Sequence, residues 1–315
     1  MAQITQLKRH EVMRFAERFA LPDVLSYSPL EGGASNSSYV ITTSEGRFVL
    51  SVCDEKTLNE IVVNNSLLLN LEEHDFPTTR LCRSTDRQYV LTHDSGIPGP
   101  RIPVIMKHYV EGTVPESLNH EMTADLGRWI AKLHMIPSTE GLPESHPYGM
   151  DFFSHVTEHH PDDAFSHWLG KQKQKFQEEI PATLQRGLVH GDIFCDNLVY
   201  NGDELSAVLD FQEACKYPYV FDIGMAIVGC CDKDGLTNRS AARILINAYE
   251  SLRPLSSDEK GCIPIMIEYA ATSTAFWRYR QYNIRNPDVT KKEHHTKMVK
   301  VAEDVSGLTI DKFLA

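Results

Sequence analysis

The stretch Gly187-Leu188-Val189-His190-Gly191-Asp192-Ile193-Phe194-Cys195-Asp196-Asn197 runs on through Leu198-Val199-Tyr200-Asn201-Gly202-Asp203-Glu204-Leu205 and, after one more apolar run, reaches Asp210-Phe211. Gly187–Val189 reads as a strand. Asn201-Gly202 between two apolar runs is the strongest short-range signal of a β-hairpin, because the favoured turn needs positive φ at its centre. Counting back from that turn sets Asn197 opposite a residue near Val208, so Asp210 emerges just beyond, beside Asn197. A carboxylate and a carboxamide oxygen aimed at one point are what a hard cation demands. Asp192 or Asn197 alone would read as a turn cap, as short polar residues often are. Their joint spacing with the hairpin and with Asp210-Phe211 favours chemistry.

Outward from that loop, the 315 residues exceed the usual size of a single core, so two lobes with a cleft between them are expected. Hydrophobic residues make up 42% of the chain, enough to fill a core. Against 31 Lys and Arg stand 43 Asp and Glu, a net charge of -12, which argues against a surface built for phosphate backbones or anionic lipid. Neither nucleic acid nor membrane is an expected partner. An anionic cofactor stays compatible, because backbone N–H groups and a bound cation act locally. The seven cysteines are scattered and show no two-residue pairing motif, as in a cytoplasmic protein with reduced thiols. Residues 1–20 lack the apolar centre of a signal peptide, and no stretch reaches the roughly 18 apolar residues of a membrane span.

Residues 5–20 have helical spacing, ended by Leu21-Pro22-Asp23. Tyr27–Leu30, Tyr39–Thr43 and Arg47–Val52 read as a three-stranded antiparallel meander, with Gly32-Gly33 at its first corner. Lys56–Glu73 carries Leu58, Ile61, Val62, Leu68 and Leu69 at helical spacing, interrupted by Asn65, and is expected to pack on the meander. Strands near Tyr89–Thr92 and Val104–Tyr109 complete a β-rich N-terminal lobe, residues 1–109. Residues 110–315 read as a mainly helical lobe, beginning with Met122–His134. The fold class is α+β.

His190-x-Asp192-x-x-x-x-Asn197 has the spacing of the kinase catalytic loop, in which an aspartate receives the substrate's hydroxyl proton and an asparagine holds Mg²⁺. The block Gly187–Cys231 resembles the aminoglycoside phosphotransferase and choline kinase superfamily. Within it, the chain is most similar to bacterial homoserine kinases of the phosphotransferase type. Four passages carry this: Gly33–Tyr39 with Gly46–Leu50, Asp210–Cys215, Pro218–Ile227, and Ala275-Phe276-Trp277-Arg278. The resemblance implies a protein-kinase-like two-lobed fold, ATP and Mg²⁺ as cofactors, and transfer of phosphate to the hydroxyl of a small molecule, homoserine first. It implies Asp192 as catalytic base, Asn197 and Asp210 as metal ligands, and His190 and Asp222 as structural partners of the loop, although Asp222 fits a helix cap equally well. Adenine would lie against Lys107, His108, Tyr109 and Val110. Backbone and side-chain donors at Gly32, Gly33, Ser35 and Asn36 would approach the phosphates.

One departure stands out. The third strand of most kinases carries a lysine on the ATP phosphates, and here Ser51 occupies that place, as a small hydroxyl residue tends to in the homoserine kinases of this type. Glu60, placed like the lysine's usual partner, then reads as a solvated helix residue. For the acceptor, Glu213 is the candidate for an ammonium, and Arg278 and Arg280 for a carboxylate, against the reading of both arginines as surface ion-pair partners. His155 and His159, with His160, His294 and His295, raise a zinc site, but Pro161-Asp162-Asp163 points to an exposed helix end. Two alternatives follow: another small alcohol as acceptor (choline, ethanolamine, a hydroxylated amino acid, methylthioribose or an aminoglycoside), and a catalytically weak nucleotide-binding protein. The sequence sets no oligomeric state.

Overall fold

The computed structural model describes residues 5–30, 36–94, 101–233 and 235–315. It separates into two units, residues 1–111 with 139–141, and residues 112–138 with 142–315.

The first unit opens with α1 (Arg9–Arg18), whose buried Val12, Phe15 and Ala16 share one helical face. β1 (Val24–Pro29), β2 (Ser37–Thr43) and β3 (Gly46–Val52) form the antiparallel meander. After α2 (Leu58–Glu73) come β4 (Leu91–His93) and β5 (Ile102–His108), giving an antiparallel sheet of order β1-β2-β3-β5-β4. Strand alternation divides the sheet's side chains between two cores. Leu50, Val52, Val104 and Met106 pack with Phe15 and Phe19, each such burial contributing about 1.5–3 kcal/mol. Cys53 and Ile105 pack with Ile61 of α2 on the other face. The buried stripe of α2 differs from the apolar one expected. Leu58 and Val62 are 49% and 48% exposed, whereas Asn65 is 4% exposed.

The second unit is mainly helical. It contains α3 (His120–Leu133), α4 (Ser154–Thr157), α5 (Ala164–Glu179), β6 (Arg186–Val189), β7 (Leu198–Asn201), β8 (Glu204–Val208), β9 (Cys215–Pro218) and α6 (Tyr219–Cys230). The short pair β10 (Asp232–Lys233) and β11 (Leu236–Thr237) precedes α7 (Arg239–Glu250), α8 (Ser257–Tyr279), α9 (His295–Val305) and α10 (Ile310–Leu314). The largely buried α8 packs against α6 and α9, and α3 against α7. Among the described residues no helix is long and apolar enough to cross a membrane.

Two antiparallel ladders fix the loop read first in the sequence. β7 pairs with β8 across a two-residue turn whose centre is Gly202-Asp203 rather than Asn201-Gly202, Asn201 ending β7 opposite Glu204, and this hairpin is nested inside a second ladder, β6 with β9. Val189 pairs with Cys215 and Leu198 with Val208, so residues 190–197 and 209–214 run side by side between the ladders. The inner register is one residue off the simple count. Tyr200 faces Leu205 but Val199 faces Ala207, a bulge that leaves Ser206 unpaired. Leu209, rather than Val208, therefore stands opposite Asn197, donating its N–H to the Asn197 carbonyl at 2.8 Å.

Candidate active site

The loop backbone is anchored from beneath. Asp222, fully buried in the first turn of α6, accepts N–H bonds from His190 at 2.6 Å and Gly191 at 2.8 Å. The helix-cap alternative is thereby displaced, since the carboxylate faces the loop. His134 Nε2 donates to Asp222 at 3.3 Å, and His134 Nδ1 lies 2.7 Å from the Tyr249 hydroxyl, which accepts from Arg253 at 3.0 Å. Burial holds the His134 imidazole below its ordinary pKa despite the pull of Asp222. For Asp222, burial works upward, but His134, His190 and the Gly191 N–H hold the carboxyl below its usual range. A neutral imidazole thus donates to an ionised carboxylate.

His190 ties the two loop arms together. Its Nε2 donates to the Leu209 carbonyl at 2.8 Å, and its Nδ1 accepts the Asp192 N–H at 3.1 Å. Gly191 has φ +82, and a Cβ there would come within 2.9 Å of the Glu213 carbonyl and the His146 ring, so the position requires glycine. At Gly229 of α6 a Cβ would run into the Ile193 carbonyl and come within 2.9 Å of Phe194 Cα, so the helix lies directly on the loop.

Above this base, Asn197 donates through Nδ2 to the Asp192 carbonyl at 2.9 Å and to the Asp192 carboxylate at 3.2 Å. That use of the amide leaves Oδ1 as its acceptor for a cation. Asp210 is exposed and has left-handed φ 58, a conformation aspartate tolerates better than most residues. Burial, followed by the charges of Asp210, Glu213 and Asp196, pushes Asp192 up to about 8 against the Asn197 hydrogen bond. So much negative charge around one half-buried carboxyl suits a cation. Among the described residues no three His, Cys, Asp or Glu side chains are grouped to hold a metal alone. Mg²⁺ keeps waters and phosphate oxygens as ligands beside one or two protein groups, and Asn197 and Asp210 are the residues that would hold it. The helix needed for a histidine pair at i, i+4 is missing too, because α4 ends at Thr157.

Two contributors were not singled out from sequence. His146, fully buried, donates from Nε2 to the Gly191 carbonyl at 2.9 Å and accepts the Tyr148 N–H on Nδ1 at 3.2 Å. Burial pushes its pKa down to about 4. Burial also raises the Tyr148 phenol well above its ordinary range, helped by the charges of Glu213 and Asp192 and by its hydrogen bond to the Glu213 carboxylate. The Tyr148 ring lies 6.0 Å from Trp277. Both residues sit in the irregular 134–149 connection, where no periodicity marks a buried position.

The C-terminal arginines separate. Arg278 is half-buried, its Nη1 3.4 Å from the His294 carbonyl. Burial lowers its pKa, while Tyr282, Asp196, Asp192 and Asp232 pull the other way. Arg280 lies over the rings of Phe276 at 5.0 Å and Tyr148 at 5.9 Å. A π-helical turn, Arg280–Arg285, ends α8, and its five-residue spacing brings Trp277 and Tyr282 edge to face at 6.1 Å.

In the first unit, Ser51 is buried on β3 with its hydroxyl 3.0 Å from that of Ser38. Glu60 is engaged in a capping box, accepting from Thr57 N at 2.8 Å and Thr57 Oγ1 at 2.6 Å. Asn65 shares the α2 face of Ile61, and neither of its amide atoms has a hydrogen-bond partner among the described residues. Lys107 and His108 end β5 opposite Val49 and Phe48. Tyr109 donates its N–H to Arg47 O at 3.0 Å, with the Arg47 guanidinium 3.9 Å from its ring centre, and Val110 follows half-buried. Asn36 has a buried Oδ1 without a partner among the described residues. Gly32, Gly33 and Ser35 lie outside the described residues.

A model of the phosphotransferase enzyme family, APH, matches residues 26–255. The chain belongs to this family. Among relatives of this phosphotransferase, a homoserine kinase of Bradyrhizobium diazoefficiens is 25% identical over 282 residues, covering 86% of this chain and 84% of that protein. A homoserine kinase of Methylobacillus flagellatus is 23% identical over 298 residues, covering 93% and 91%. Similar solved structures include an amicoumacin kinase in complex with AMP-PNP, Ca²⁺ and Ami, with TM-score 0.75, 13% identity and 97% of both chains covered. A spectinomycin phosphotransferase in complex with ADP and spectinomycin gives TM-score 0.71 and 12% identity over 96% of this chain and 100% of that one. The phosphotransferase therefore has the expected α+β, protein-kinase-like fold.

Proposed function

We propose that this phosphotransferase moves the γ-phosphoryl group of ATP to the side-chain hydroxyl of homoserine, giving O-phosphohomoserine. The observation that carries the chemistry is the Asp192–Asn197 hydrogen bond beside Asp210, on a loop whose amides are fixed by buried Asp222. Support for homoserine comes from relatives of that name that align along most of both chains.

Phosphoryl transfer needs an aligned nucleophile and stabilisation of charge more than covalent help. Asp192 orients the acceptor hydroxyl and takes its proton. Asn197 keeps that carboxyl in place through Nδ2 while its Oδ1, with the Asp210 carboxylate, holds Mg²⁺. Bound there, Mg²⁺ supplies positive charge to the transferring phosphoryl group. Lys107, His108, Tyr109 and Val110 are the proposed seat of the adenine, and Asn36 and Ser51 are proposed phosphate-binding residues, as are Gly32, Gly33 and Ser35, which lie outside the described residues. His190 and Asp222 hold the loop, and the enzyme works in the cytoplasm.

The test is ADP release from Mg·ATP with homoserine, serine, choline, ethanolamine, methylthioribose and kanamycin, for the native chain and Asp192→Asn. Turnover with homoserine, lost in the variant while Mg·ATP still binds, is the expected result. Nucleotide binding without turnover of any acceptor would refute it and favour a nucleotide-binding protein.

A further inference from the structure

The third strand brings no lysine to a nucleotide, but the strand beside it does. Pairing sets Val49 opposite Lys107 and Ser51 opposite Ile105 between β3 and β5. Between β2 and β3 it sets Ser38 opposite Ser51 and Thr42 opposite Arg47. Paired residues point to the same face of a sheet and alternate residues to opposite faces. Lys107, Val49, Ser51, Ser38 and Arg47 therefore share the face on which Ile105 packs with Ile61 of α2, away from the core that holds Leu50 and Met106. Among the described residues, Arg47 and Lys107 are the two lysines or arginines in the strands of this sheet. Arg47 is committed, its guanidinium forking onto Glu111, with Nε at 2.9 Å, and lying over the Tyr109 ring. Lys107 is half-buried, with Leu81 paired to it on the side away from Val49, and among the described residues no hydrogen bond or ion pair engages its ammonium. The stem runs between two apolar neighbours and delivers a charge without a counter-ion, to which an anion is the matching partner.

Ser51 is the diagonal neighbour of Lys107 across the β3–β5 ladder, at the roughly 7–8 Å over which long side chains still meet. The hydroxyls of Ser51 and Ser38 are 3.0 Å apart. One O–H is used between them, and the other stays available to an acceptor. An ammonium and a hydroxyl hydrogen brought to one place are donors for a phosphate oxygen, the lysine acting as a point charge. We propose that Lys107 reaches across to the Ser38–Ser51 pair and binds the phosphate nearest the sugar of the nucleotide, supplying from β5 the cation that the third strand lacks. This rests on the ATP reading above, in which the Lys107 backbone helps seat the adenine, and gives the side chain a task of its own. Every residue involved belongs to the first unit.

Calorimetric titrations with ATP, ADP and adenosine in the presence of Mg²⁺ compare the native chain with Lys107→Met, Lys107→Gln, Lys107→Arg and Lys56→Met, and circular dichroism melts establish folding. Lys107→Met and Lys107→Gln should bind ATP and ADP about ten- to a hundredfold more weakly, the range of a hydrogen bond to a charged group, and adenosine as the native chain does. Lys107→Arg, which keeps the charge, should recover most of the loss. Lys56 lies on the turn that follows β3, and Lys56→Met should leave all three affinities unchanged. An equal loss for adenosine and ATP would make Lys107 part of the wall around the base and overturn the phosphate contact. Unchanged binding by both neutral variants, the result for an ammonium held only by solvent, would overturn it too, as would a loss that appears in Lys56→Met instead. Each of those results leaves ATP as the nucleotide, whereas a native chain that binds neither ATP nor ADP would refute the ATP reading and the role of Lys107 with it.

Discussion

His146 makes a quantitative prediction about acid. The imidazole is fully buried and uses both nitrogens, one as donor to Gly191 and one as acceptor from Tyr148, so only the neutral form fits. Its pKa falls from an ordinary 6.5 to about 4 on folding. Between those values the unfolded chain binds a proton that the folded chain refuses, so stability is lost as pH falls from about 6.5 toward 4. Each pKa unit corresponds to about 1.4 kcal/mol, which puts the whole effect at about 3 kcal/mol. Integrating between pH 7 and pH 5 gives about 2 kcal/mol. Urea unfolding followed by tryptophan fluorescence at the two pH values would measure it, with His146→Gln as the reference because glutamine keeps an N–H for the Gly191 carbonyl and does not titrate. Other groups shift too, buried His134 among them, so the quantity to read is the difference between native chain and variant. A variant losing as much stability as the native chain over that interval would refute the reasoning.

Three further outcomes follow from the same geometry. Asp222→Asn replaces one of two anionic acceptors by a donor facing buried N–H groups; it should lower unfolding free energy by about 2–4 kcal/mol and depress kcat, both read from denaturation and ADP release. Gly229→Ala puts a methyl group against the Ile193 carbonyl, and should displace the catalytic loop and cut turnover at saturating substrate by more than it weakens nucleotide binding in a direct titration. Asn65→Leu removes a buried amide that has no partner among the described residues and should raise the urea midpoint, by about 1–3 kcal/mol in free energy; a fall would show that the amide is satisfied by water.

Much of the loop was legible because its signals are local. The turn at Gly202, whose φ is +61, marks the hairpin of β7 and β8 from the local sequence, and the rough position of Asp210 follows by counting. The bulge at Ser206 was not legible, since no glycine marks it, and it moved the pairing by one residue. The outer strand β9 was missed because Cys215-Lys216-Tyr217-Pro218 is too short to show alternation and acquires its strand character from β6. The expected α2 stripe ran through Leu58, Ile61, Val62, Leu68 and Leu69, whereas the buried residues are Ile61, Asn65, Leu67, Leu68 and Leu71, with Leu58 and Val62 left to solvent. Glu60 is exposed, as a solvated helix residue should be, and its carboxylate is engaged locally by Thr57 in the capping box. His146 and Tyr148 gain their importance from contacts with residues 45 and 65 positions away, beyond the reach of any local pattern.

The π-helical turn at the end of α8 bears on how the aromatic cluster around Trp277 changes over descent. A wide turn holds one residue more than an α-turn would, and each residue of an α-helix carries about 100° of rotation. Deleting a single residue from Arg280–Arg285 would close the turn and swing Tyr282 and its neighbours about a quarter of the way around the axis, with Trp277 and Arg278 left in place upstream. One codon lost there would re-aim Tyr282 without touching Asp192, Asn197 or Asp210, so this end of α8 can change separately from the 190–197 loop.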